Sequence, residues 1–302
     1  MKRIRLGTRK SKLAIRQAEL VRNAILQKNT SVEVEIIGIT TEGDIGRNSR
    51  SELGKGSFVK KLEEELLAGK IDAAVHSAKD MPANIPDKLD IAAFIEREDP
   101  RDVFISNKAQ SLSRLPMPFK IGTSSPRRRA FLLHYCTDVD VVKIRGNVDT
   151  RIRKVEENEV DGIIIAAAGI NRLGFQGKVS EYLDTDYFIP SAGQGAVAVE
   201  VLKADSSLRR LFKSIDDFRT RTAVMAERAF INEIGAGCHL PVGVYCSTTD
   251  DKAEIVCAIL SSDGSEMLKD KIRGDIKEAE ELGRILAQKM LDKGAEKFLN
   301  IK

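Results

Sequence analysis

Four groups of residues in this chain have types and spacings that could do chemistry. The first is Cys238 in "GAGCHLPVG" (235–243), a thiol among small residues after a long helical pattern, with His239 beside it. An inert loop thiol, a nucleophile, a metal ligand and a point of covalent attachment are all readings of a cysteine there. A nucleophile wants a histidine partner that a third group holds in place, and a residue adjacent in sequence usually points its side chain away. A metal wants further ligands, but the chain has three histidines, at 76, 134 and 239, and no CxxC pair. Attachment of an organic group through sulfur stays open. The other cysteines, Cys136, Cys246 and Cys257, fall on apolar faces and are expected in packing.

The second group is "GTSSPRRR" (122–129). Ser125 is a good helix cap and Pro126 suits the first helical position. The exposed N–H groups of such a helix start, with Thr123 and Ser124 beside them, form an anion site. Arg127 and Arg128 add fork-shaped donors matched to carboxylates. A solvated basic helix start or a nucleic-acid patch would use the same residues. The third group weighs against that. Arg9 and Ser11 in "LGTRKS", Arg145 and Arg151 in "IRGNVDTR", and Arg172 in "GINRLG" also follow predicted strands. In open α/β sheets ligands bind beyond the carboxyl ends of the strands. The fourth group supplies a carboxylate: Asp80 in "AVHSAKDMP", next to Lys79 and near Ser77. It reads as a turn residue, or as an acid that stabilises a cation or moves protons in a cleft. His76 lies within the strand and is expected to point into packing.

These residues need a framework. "RIRLGT" is a predicted strand, and Ser11 caps a helix running to about Leu26. "VEVEIIGI" is a strand, and Ser57 caps a helix carrying Phe58, Leu62 and Leu66. "IDAAVHSAKDMP" is a strand ending in a polar turn. "FKIGTSSPRRRAFLL" and "VDGIIIAAAGI" echo those units, a weak internal repeat. Two similar α/β lobes follow, each a mostly parallel sheet covered by helices. "EREDPRD" (96–102) and "IPSAGQGAVAVEV" (189–201) read as two crossovers, with a ligand cleft expected between the lobes. From about Asp216 the pattern becomes one long helix, three alternating strands and a last helix with Asp275 and Glu278 as a capping box. The expected fold class is therefore α/β, two lobes with a double crossover, plus a small C-terminal α+β domain. The expected domains are 1–95 with 191–215, 96–190, and 216–302.

At 302 residues the chain is long enough for two or three domains. Its net charge of +4, with 5% aromatics and no Trp, lacks the stripe of a nucleic-acid binder. The longest apolar runs are too short to cross a bilayer. The basic N-terminus is followed by no apolar signal core, so a cytoplasmic protein is expected.

Together these motifs resemble the hydroxymethylbilane synthase (porphobilinogen deaminase) family over nearly the whole chain. The matching stretches are "LGTRKSKLAIRQA", "GKGSFVKKLE", "DAAVHSAKDMP", "EREDPRD", "IGTSSPRRR", "IRGNVDTR", "AAAGINRLG", "PSAGQGAVAVE", "AERAF" and "GAGCHLPVG", in that order. The resemblance implies periplasmic-binding-protein-like lobes and a dipyrromethane cofactor joined by a thioether to Cys238. It implies a transferase that deaminates four porphobilinogen molecules and joins them head to tail on that primer, releasing hydroxymethylbilane. It implies that Asp80 is catalytic. Lys79, Ser125, Arg127, Arg128 and Arg145 would hold the cofactor. Arg9, Ser11, Gln17, Thr123, Ser124, Arg151, Arg172 and Gln194 would hold the growing chain. The segment around Gly46–Gly56, with Lys55 and Phe58, would form a lid. Ser57, Pro126 and His239 depart from the residues the pattern has at those places. The expected partner is porphobilinogen alone, with no metal, nucleic acid or membrane, and the expected state is a monomer. A non-catalytic anion-binding protein on the same two lobes is the alternative.

Overall fold

The computed structural model describes residues 2–40, 56–82, 84–136, 138–235 and 240–299. Strand β1 (Lys2–Arg9) buries Ile4, Leu6 and Thr8 on alternate positions. Ser11 then opens α1 (Lys12–Lys28), its hydroxyl accepting from the Ala14 N–H at 3.3 Å. Ala14, Ala18, Val21 and Ile25 are buried at helical spacing. The helix runs two residues past the expected Leu26, and the Asn29 N–H closes it on the Ile25 carbonyl at 2.8 Å. Next come β2 (Val32–Ile39), α2 (Gly56–Leu67), β3 (Ala73–Ser77) and β4 (Leu89–Ile95). Because α2 opens at Gly56, Ser57 lies inside the helix and not at its cap.

The second run is β5 (Asp102–Ser106), β6 (Phe119–Gly122), α3 (Pro126–Tyr135), β7 (Val139–Val142), α4 (Val148–Glu156), β8 (Gly162–Ala166), α5 (Ala167–Arg172) and β9 (Glu181–Leu183). It is followed by β10 (Val197–Leu202), α6 (Ser206–Lys213) and α7 (Phe218–Glu233). The chain ends in β11 (Val242–Thr248), β12 (Lys252–Leu260), β13 (Met267–Asp275) and α8 (Ala279–Asp292), before a last short helical turn.

Two five-stranded sheets result, ordered β2-β1-β3-β10-β4 and β7-β6-β8-β5-β9. They match strand for strand, which bears out the internal repeat. In each sheet, β1, β2 and β3, or β6, β7 and β8, run parallel, and one strand runs antiparallel beside them. That strand is β10 in the first sheet and β5 in the second. Since β5 precedes the rest of its sheet and β10 follows the whole second run, the chain crosses over twice. Gly193 and Gly195 shape the second crossover, with φ of +70° and +89°, a region that favours glycine. Sheets covered on both faces need apolar side chains on both, and every residue of β8 is buried.

The third sheet is an antiparallel meander, β11-β12-β13. One face of β12 sends Ile255, Cys257 and Ile259 into a core with Phe230 of α7 and Leu286 and Met290 of α8. Gly283 lets those helices touch, since a Cβ there would lie 2.3 Å from the Ala226 carbonyl. The other face sends Ala258 and Leu260 into the core of the second sheet, beside Phe131 and Phe188. The described chain therefore divides into two compact units. One is Met1–Glu98 with Ala196–Arg221, and the other is Asp99–Gly195 with Thr222–Lys302.

The expected capping box takes a different form. Asp275 accepts from the Lys277 N–H at 2.9 Å because Ile276–Glu278 is a 3-10 turn, and Glu278 then precedes α8 with no side-chain cap bond. Cys136, Cys246 and Cys257 are buried, as expected, and burial pushes the Cys257 thiol up to about 12. No helix among the described residues is long and apolar enough to cross a membrane.

Candidate functional site

In the first unit the edge at the carboxyl ends of β1 and β3 carries the predicted residues. Arg9 ends β1 and Ser11 caps α1. After β3 the chain makes a 3-10 turn, Ala78–Asp80, which puts Lys79 and Asp80 half-buried at the strand end. The turn is pinned by the Ala78 N–H donating to the Ala196 carbonyl at 3.0 Å and the Met81 N–H donating to Ala78 at 3.2 Å. The Asp80 carboxylate makes no hydrogen bond among the described residues. Gln17 is buried, and its amide donates to the Ser77 hydroxyl at 2.8 Å. That contact joins α1 to β3 directly before the Asp80 turn.

His76 is buried as expected, but its partner is polar. Its Nε2 lies 2.9 Å from a carboxylate oxygen of Glu200, which β10 carries into the core. Burial, with Glu200 nearby, raises the Glu63 carboxyl above its usual range, and His76 opposes that shift. A glutamate inside the apolar run "AVAVEVL" was the signal for this cluster, which sequence reasoning missed.

In the second unit the same edge gathers a basic set. The Ser125 hydroxyl accepts from the Arg128 N–H at 3.4 Å, with Pro126 at the start of α3 as expected. Thr123 is buried, and its hydroxyl accepts from the Ser125 N–H at 3.3 Å. Ser124 is exposed and donates its hydroxyl to the Ile144 carbonyl. Arg145 is exposed beyond β7. Arg151 on α4 donates its Nε to the Gly146 carbonyl at 2.8 Å. Arg172 closes α5 and donates to the Gly195 carbonyl at 2.7 Å.

Arg127 and Arg128, the expected fork-shaped donors, already hold a carboxylate of the chain itself. Both are buried around Asp102, the fully buried first residue of β5. Arg127 Nη2 donates to Asp102 Oδ2 at 2.6 Å and Nη1 to the Ile189 carbonyl at 2.7 Å. Arg128 donates to Asp102 Oδ1 from Nε at 3.0 Å and Nη2 at 2.7 Å, and its Nη1 reaches the Ile164 carbonyl at 3.2 Å. Gln194, fully buried, donates to Asp102 Oδ1 at 3.0 Å and the Pro100 carbonyl at 2.7 Å. Burial holds the Arg127 guanidinium below its ordinary value; Asp102 opposes that shift and the Arg128 cation adds to it. Asp102 was legible only as part of a charged crossover.

Removing one member of a buried ion cluster leaves the rest uncompensated. Asp102→Asn is expected to lower unfolding free energy by about 3–5 kcal/mol, read from urea midpoints at constant slope. A loss below about 1 kcal/mol, the worth of an ordinary hydrogen bond, would mean that the carbonyls alone hold the arginines.

Cys238 and His239, with Lys55 and the rest of the expected lid up to it, lie outside the described residues; Gly56 and Phe58 fall within α2. The flanks of the cysteine segment are described. The α7 helix leads into it, and β11 leads out after Leu240 and Pro241. Among the described residues no group of three or more His, Cys, Asp or Glu could hold a metal ion.

Residues 4–210 match the family model described as porphobilinogen deaminase, dipyromethane cofactor binding domain. Residues 221–292 match porphobilinogen deaminase, C-terminal domain. The chain is 41% identical over 301 residues to the porphobilinogen deaminase of Alkaliphilus metalliredigens, covering 99% of this chain and 95% of that one. It is 42% identical over 301 residues to that of Geobacter sulfurreducens, covering 99% and 94%. The chain belongs to the porphobilinogen deaminase family.

Among solved structures it is similar to a putative methionine-binding lipoprotein from Bacillus subtilis, at 14% identity and a TM-score of 0.45, covering 71% of this chain and 90% of that one. The family's dipyrromethane cofactor carries carboxylates, and the second unit fits such a group in chemistry. Arg145 is exposed, the hydroxyls of Ser124 and Ser125 sit at the start of α3, and the buried Nε of Arg127 has no partner among the described residues.

Proposed function

We propose that this chain is a transferase that condenses porphobilinogen head to tail into a linear tetrapyrrole with loss of ammonia. It would do so on a dipyrromethane primer held by a thioether to Cys238. The observation that carries the reading is the family match across nearly the whole chain. The recurrence of cationic residues and Asp80 beyond the carboxyl ends of parallel strands supports it.

In this reading Arg9, Lys79, Arg145, Arg151 and Arg172 pair with pyrrole carboxylates, and Ser11, Thr123, Ser124 and Ser125 supply hydrogen bonds. Gln17 holds the turn that carries Asp80, while Gln194 and Asp102 hold Arg127 and Arg128. The Asp80 carboxylate stabilises positive charge that develops on substrate as ammonia leaves and as the new bond forms, and it moves the proton. When bound, the primer supplies the pyrrole carbon from which the polymer grows. The reading divides the chain at 1–95 with 191–215, 96–190 and 216–302, and has the enzyme act in the cytoplasm as a monomer.

The test is intact mass. Chain prepared without primer and then given porphobilinogen is expected to gain two pyrrole units and release ammonia. The absence of both the mass gain and the ammonia would overturn the assignment.

A further inference from the structure

Glu227 has no part in the site as described so far, yet its carboxylate bonds both the strand that follows the cysteine segment and the turn of the second crossover. It lies on α7, the helix leading into that segment, and is fully buried. Its Oε1 accepts from the Cys246 N–H on β11 at 2.8 Å. Its Oε2 accepts from the Gly193 N–H at 2.6 Å. One carboxylate thus joins the helix entering the segment, the strand leaving it and the turn of the second crossover.

That turn is held from its other side by the arginine cluster. Gln194 bonds to Asp102, which holds Arg127 and Arg128, and the Gly195 carbonyl accepts from Arg172. Two neighbouring contacts add rigidity. The Val244 N–H donates to the Pro190 carbonyl at 2.9 Å, and a Cβ on Gly243 would lie 2.6 Å from the Ile189 carbonyl. All of these residues belong to one compact unit.

A carboxylate is suited to this place because it only accepts. A glutamine of the same size would present an amide N–H to one of the two N–H donors. Burying a charge is costly, and a buried charge is weak evidence of a gain in stability. Its better-attested use is to fix one arrangement among several.

We propose that Glu227 is a positioning residue that fixes α7 and β11, which flank the cysteine segment, relative to the Arg127–Arg128–Arg172 cluster, and so bears on the reaction of a group carried by Cys238. The proposal rests on the reading that Cys238 carries the primer.

The test compares the parent chain with Glu227→Gln, both prepared without primer and then given porphobilinogen. Intact mass is followed in time at a temperature where circular dichroism shows both folded. Misplacing reacting groups by about 1 Å can cost on the order of 100-fold. Loading of the variant is therefore expected to slow roughly 10- to 100-fold. Its kcat is expected to fall by a similar factor while KM changes less than about twofold, because positioning acts on the chemical step. Loading and kcat at parental values would overturn the proposal, as would a rise in KM alone.

Should the variant not fold, amide exchange in the parent decides. The Gly193 and Cys246 amides are expected to be protected and to slow further on loading, and no change on loading would overturn the proposal. A parent that gains no pyrrole mass sinks the reading of Cys238 together with this one. A parent that loads beside an equally fast variant sinks this one alone.

Discussion

Cys238→Ala is expected to give a folded chain that never acquires pyrroles and turns over no porphobilinogen. The segment's described flanks are held by Glu227, by the Val244–Pro190 bond and by the core of α7 and β11. None of these uses the thiol. Against the parent prepared without primer, the urea midpoint is therefore expected to change little. Activity is expected to vanish altogether, because an anchor cannot be replaced by proximity. Intact mass, ammonia release and a urea titration on the same preparation read all three. Turnover by the alanine variant at even a tenth of the parental rate would refute the tether.

Asp80→Asn keeps the shape and removes the charge. Substrate is expected to bind as before, because the residues assigned to the carboxylates are untouched. The rate is expected to fall by about 100- to 10,000-fold, the usual worth of a positioned acid or base. Stability is expected to be nearly unchanged. The turn is held by main-chain bonds from Ala78 and Met81, and the Asp80 side chain makes no hydrogen bond among the described residues. That combination separates the proposed role from that of a turn residue. A structural Asp80 would cost stability when altered, whereas a catalytic one costs rate. Near-parental kcat with a lowered urea midpoint would reverse the assignment.

Much of the fold was legible because its signals are local. Ser11, Ser125 and Pro126 mark helix starts through their own backbone chemistry, and the short apolar run "GIIIA" suits a strand buried on both faces. The repeat was legible because equivalent strand–turn–helix units carry similar residues. The inner structure of the site was not. Arg127 and Arg128 read only as donors for a ligand's carboxylates. Their counter-ion, Asp102, is 25 and 26 residues away and arrives through the crossover. Glu227 and Glu200 carried a signal that went unused, a charge within an apolar helical stripe and within an apolar strand. A buried acid in such a place has to have partners, but the sequence does not say which. Pairings over such separations are set by topology, which local patterns do not encode.

The place of β10 has a consequence for how this polypeptide emerges during synthesis. It lies between β3 and β4 in the first sheet, yet it is translated after the whole second sheet. Until residue 202 has left the ribosome, β4 has no neighbour and one side of β3 stands open. The half of the molecule made first is therefore the half that must wait to close, and the turn bearing Asp80, which leans on Ala196, is finished only then.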